Sequence, residues 1–157
     1  MKKRIFAMLI IALFISVSIV PAVNATEYPN ANGKEENIVY LADGCYMITV
    51  ITEDNVRASM LYATKNKSGS KTSTVYSAAG ETLYSLTVHG TFSYNGSSAT
   101  AVSSSYSYTD ESPLWSLSGA SSYCSGATAT VSGTFKSSLQ SKTLSVSLTC
   151  SANGTLS

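Results

Sequence analysis

Charge is scarce in the second half of this chain: from Thr82 onward only Asp110, Glu111, Lys136 and Lys142 are ionised at neutral pH. A nucleic-acid partner needs a basic face, and these residues cannot build one. Histidine is confined to His89 and tryptophan to Trp115. With one His and no C-x-x-C, no ligand set for a metal can be assembled from neighbouring positions. The G-x-S-x-G elbow, the H-E-x-x-H zinc pattern, the P-loop and the EF-hand loop are all missing. Glu53-Asp54 lacks the ligand spacing of a calcium loop, while Glu35-Glu36 and Asp110-Glu111 are adjacent and point apart on any strand. The chain therefore reads as non-enzymatic, with no cofactor. Beyond Val20 there is also no apolar run long enough to span a bilayer, and no amphipathic helical stripe.

What is present begins with Lys2, Lys3 and Arg4, an uncharged run from Ile5 to Val20, and the small-residue exit Ala22-Val23-Asn24-Ala25. This is the pattern of a secretory signal peptide over residues 1–25, cleaved before Thr26. The expected localisation is secreted and extracellular, or loosely attached to the cell surface, with no membrane span after cleavage. Removing that segment takes three of the ten basic residues and no acidic ones, leaving seven against nine. Residues 26–37, with Pro29, Asn30, Asn32 and Gly33, read as a flexible arm, and 38–157 as one domain.

The most regular stretch runs from Tyr84 to Tyr94. Tyr84, Leu86, Val88, Phe92 and Tyr94 alternate with Ser85, Thr87, His89, Thr91 and Ser93, which predicts a strand buried on one face with His89 on the polar one. Asn95-Gly96 predicts a two-residue hairpin turn into Ser97–Val102. Asp43-Gly44 separates the apolar runs 38–42 and 45–51, and Val56–Ala63 is read as the return strand. Lys65–Lys71 (KNKSGSK) reads as a polar loop, followed by a Thr- and Val-rich strand over 71–77. Ser103–Tyr108 is extended, Trp115 anchors one end of the core, and Ser118–Gly126 reads as a loop carrying Cys124. Ala127–Phe135 and Leu144–Cys150 alternate again. Ser and Thr replace charge on the solvated faces, which suits a pleated surface. The pattern predicts an antiparallel β-sandwich of about seven to nine strands, compatible with Greek-key connections, with a small β-barrel as the alternative.

Three cysteines, Cys45, Cys124 and Cys150, allow one intramolecular bridge in an oxidising compartment. Cys124–Cys150 is the preferred pair, because Cys150 continues the inward parity of Leu144, Val146 and Leu148 and closes a modest loop. Three unpaired thiols acting as small hydrophobes are the alternative. Among the ten tyrosines, Tyr94, Tyr106 and Tyr108 are candidates for an exposed platform that stacks on sugar rings or a protein partner. Cross-strand packing explains the same residues. Asn95-Gly96-Ser97 and Asn153-Gly154-Thr155 match the glycosylation acceptor pattern and equally well form turns.

KTSTVYSAAGETLYSLTVHGTFSYNGSSAT from Lys71, the Trp115 segment, SGATATVSGTF and the ending SLTCSANGTLS together resemble a group of small secreted proteins of unknown function from Gram-positive bacteria, clostridia and their relatives. The resemblance implies an exported β-sandwich and brings no activity or site residue. The expected role is an extracellular binding or interaction module for a protein or polysaccharide. The alternatives are a surface or matrix component that self-associates, and a secreted antibacterial or toxin-like protein.

Overall fold

A computed structural model describes residues 34–54 and 64–157; the signal-peptide reading of 1–25, most of the arm reading of 26–37 and the 56–63 strand reading lie outside the described residues. Among the described residues eight strands form two antiparallel sheets that pack as a β-sandwich. β1 (Lys34–Tyr40), β2 (Tyr46–Glu53), β3 (Lys65–Tyr76), β4 (Thr82–Tyr94) and β5 (Ala99–Thr109) form one sheet. The other is β6 (Ser116–Ser125), β7 (Thr128–Lys136) and β8 (Ser141–Thr149). Within each sheet the described strands pair with their neighbours in sequence, so the topology is a meander in each sheet and not a Greek key. Short turns keep consecutive strands adjacent: Gly44, Gly80 and Gly126 take positive φ at three of them. Among the described residues no helix is long and apolar enough to cross a membrane.

β4 carries the core, as its alternation predicts. Leu86, Val88 and Phe92 have no exposed surface, and across the sandwich Ala129, Val131, Phe135 and Leu148 are equally enclosed. Each large side chain so buried contributes about 1.5–3 kcal/mol through area removed from water. Tyr84 stacks on Phe135 at 4.2 Å between ring centroids and meets Trp115 at 5.0 Å, so Trp115 does close one end of the core. On the outer faces hydroxyls pair across strands in place of charges: Thr72 with Thr87 at 2.8 Å, Thr128 with Thr149 and Thr130 with Ser147 at 2.9 Å. Such cross-strand pairs stabilise by about 0.2–1 kcal/mol each. His89 lies exposed among them, its Nε2 at 2.9 Å from Ser107 Oγ.

Four local readings are corrected. Residues 65–71 are strand, the first half of β3, paired with β2 and β4. Their polarity misleads because this end of the inner face lies near the margin of the smaller sheet, where Lys67 is neutralised by Glu53 at 2.9 Å and Gly69 makes room for Leu156. Residues 118–125 are likewise strand: β6 pairs on one side only, so small Ser, Gly and Ala residues suffice there. Asn95-Gly96 opens a four-residue loop, with Asn95 N–H donating to Ser98 O and the Asn95 carboxamide oxygen accepting from the amides of Ser97 and Ser98. β1 begins at Lys34, inside the stretch assigned to the arm.

Candidate functional site

The two sheets differ in width, and the mismatch falls on one side. At the β5–β6 side the sandwich is closed: Ala101 N–H donates to Gly126 O at 2.8 Å, and Ser122 Oγ donates to Ser104 O. On the opposite side β8 lies near β3, and the inner faces of β1 and β2 extend past it. A groove of about 430 Å³ opens there, between the β1–β3 face and the edge of β8. Val39, Met47, Ile51 and Val146 give it an apolar floor, and Thr49 and Ser73 add a hydroxyl pair at 2.9 Å.

Alternation decides what each strand offers to this groove. Lys71 lies opposite Ile51 on one side and Val88 on the other, both buried, so it belongs to the inner face. No carboxylate or other hydrogen-bonding partner reaches it among the described residues. The two ion pairs nearby are self-contained. Glu53–Lys67 lies toward the Leu156 end, and Lys142 reaches Asp43 of the β1–β2 turn at 3.1 Å toward the other. The Lys142 ammonium holds the Asp43 carboxyl below the usual carboxylate range through that hydrogen bond.

β8 contributes backbone. Thr149 exchanges both of its hydrogen bonds with Ser157, whose chain returns along the outer edge of β8 after the turn at Gly154. Peptide groups alternate in direction along a strand, so those of Ser147, Ser145 and Thr143 point the same way as those of Thr149. Among the described residues that edge carries no strand beyond the bonds of Ser157 to Thr149, and within its sheet β8 has β7 as its neighbour. The hydroxyls of Ser145 and Ser147 are engaged with Ser132 and Thr130 on the outer face, so what these residues present to the groove is an unpaired ladder edge.

The residues singled out by sequence are elsewhere. Tyr94 packs under Gly154 and lines a separate hollow with Asn95, Gly96 and Asn153. Tyr106 and Tyr108 lie on β5 opposite Val88 and Leu86, at the closed side, and are partly exposed. Tyr94 pairs with Ala99, and Tyr106 with Val88 six residues along β4, about 20 Å away, so the three do not form one platform. A tyrosine ladder does exist on the outer face: Tyr40, Tyr46 and Tyr76 are in cross-strand register, with Tyr46 stacked on Tyr76 at 5.1 Å and Tyr40 tilted against Tyr46 at 6.3 Å. The signal for it was one Tyr on each side of the Asp43-Gly44 turn, which sets Tyr40 opposite Tyr46.

No disulfide is present: Cys45, Cys124 and Cys150 are free thiols. Cys150 is buried on the inward parity expected of it, but Cys124 is exposed on β6 with β7 between them. Two strand spacings are about 10 Å, beyond the Cα separation of a disulfide. Burial raises the thiols of Cys45 and Cys150 above the ordinary value. Among the described residues no three His, Cys, Asp or Glu side chains come together as a metal set. No protein-family model, no curated protein and no solved structure matches this chain.

Proposed function

We infer that the chain is an exported, non-enzymatic interaction module, of the kind its resemblance to small secreted Gram-positive proteins implies, and that it holds its partner at the open flank of the sandwich. One observation carries this reading: an apolar inner face that no described residue covers lies beside a strand edge that no described strand pairs, the two things a docking extended ligand needs. The test is retention of the chain from Thr26 onward on isolated cell wall, on polysaccharides and on its own immobilised copy, beside a Val39→Lys variant. Val39 is 39% exposed at the rim, so the substitution leaves the core intact. Retention that Val39→Lys abolishes supports the flank as the site; retention it does not change places the site elsewhere.

Self-association is a second reading, favoured by the outer strand β1. Among the described residues it has no neighbour beyond β2, and it exposes Ile38, Val39 and Tyr40 in a row. Sedimentation equilibrium decides it, since a species that stays monomeric across the concentration range removes this reading.

A further inference from the structure

We propose that the groove takes an extended acidic peptide, which adds as a strand to the open edge of β8 and places a carboxylate on Lys71. This deepens the interaction-module reading and rests on it.

Three observations converge on this occupant. The first is the edge itself. Ser157 already holds the position of an added strand opposite Thr149, with N–H···O distances of 2.9 and 3.0 Å in both directions. The same edge continues through Ser147, Ser145 and Thr143, about 17 Å of strand when Thr143 to Ser147 are counted at the usual rise. A ligand that satisfies those donors and acceptors in register is a polypeptide backbone; a sugar ring does not repeat at that spacing.

The second observation is the floor. Added residues would alternate, so every other side chain would enter the groove over Val39, Met47, Ile51 and Val146. That selects a peptide with apolar residues at alternate positions. The third is charge. Among the described residues near the groove, the side chains of Asp43, Lys142, Glu53 and Lys67 neutralise one another in pairs, while Lys71 faces inward with no Asp or Glu side chain paired to it. An ammonium on the inner face of a sheet gains most from a carboxylate that arrives with the ligand, since both are then shielded from water.

The experiment uses the chain from Thr26 onward with fluorescein-labelled seven-residue peptides of alternating Thr and Val, in which the central Val is replaced by Glu, Gln or Lys. Binding is read by fluorescence anisotropy. The expected result is binding of the Glu peptide about tenfold tighter than the Gln peptide, with the Lys peptide weakest. Lys71→Met should equalise the Glu and Gln peptides. Ser145→Pro should weaken all three, because proline deletes an outward N–H of an edge strand and leaves the β7–β8 ladder intact. Circular dichroism of both variants confirms folding, and Lys71→Gln repeats the charge test with a side chain that keeps polarity.

Equal affinities for the three peptides overturn the proposal, as does a Glu preference that survives Lys71→Met and Lys71→Gln. A dimer that Ser145→Pro disrupts, with no peptide bound, also overturns it and assigns the edge to a second copy of this chain. Polysaccharide retention sensitive to Val39→Lys, without peptide binding, refutes the peptide and leaves the interaction module standing. Failure of both sets of measurements refutes both.

Discussion

Gly90 sits in β4 facing Ala129 of the other sheet, and a methyl group there tests that packing directly. A Cβ at this position would lie 2.7 Å from two atoms of the Phe92 ring and 3.1 Å from the Ala129 Cβ across the sandwich. Phe92 and Ala129 are fully enclosed, so neither can swing away. Overpacking of this kind costs about 1–3 kcal/mol. Restricting the unfolded chain by replacing Gly with Ala returns about 0.4–1 kcal/mol. The overpacking term is at least as large, and Gly90→Ala should destabilise by up to about 2.6 kcal/mol on these two ranges. Urea denaturation should show a lower midpoint with an unchanged m-value. Gly119→Ala is the control: a Cβ at Gly119 would meet nothing within 4 Å and its φ is not positive, so only the entropic gain applies and the midpoint should hold or rise. In the double variant Gly90→Ala/Phe92→Leu the loss should be smaller than the sum of the two single losses, since both changes act on one contact. A Gly90→Ala midpoint at or above that of Gly119→Ala would refute the packing of β4 on β7.

Iodoacetamide should label Cys124 first, Cys45 more slowly and Cys150 only on unfolding, because Cys124 is exposed, Cys45 is partly buried with its thiol raised by desolvation, and Cys150 is buried. Mass spectrometry of the non-reduced protein that finds Cys124 and Cys150 linked would contradict this order. Asp43 should titrate below an ordinary aspartate by carbon-13 NMR, and Lys142→Met should move it back up. The sign follows from the depressed value: the contribution of the pair is present at neutral pH and is lost as pH falls through the folded Asp43 pKa. An Asp43 titration that Lys142→Met leaves unchanged would remove Lys142 as its cause.

Much of the fold was legible in period-two alternation. The strands β4, β7 and β8 each have one apolar face long enough to specify strand and inward side together, so Leu86, Val88, Phe135 and Leu148 could be placed before any coordinates. Where both faces are polar the same signal is silent. β3 over Lys65–Lys71 and β6 over Ser118–Ser125 therefore read as loops, since their strand state comes from ladder bonds to neighbours and not from their own side chains. The tyrosine and cysteine assignments misled for a related reason: parity says which side a residue faces, and it does not say how far apart two residues of the same parity lie.

The chain's own residues determined that it is β, which faces are apolar, and that its surface is hydroxylated where other proteins carry charge, because these depend on neighbours in sequence. Tertiary structure alone decided how the eight strands divide into sheets of five and three. Among the described residues it thereby left β1 and β2 overhanging, set Lys71 on an inner face with no acidic side chain paired to it, and left one edge of β8 without a neighbouring strand. Those features arise from a difference in width between two layers, a property of the assembled sandwich that no single segment encodes.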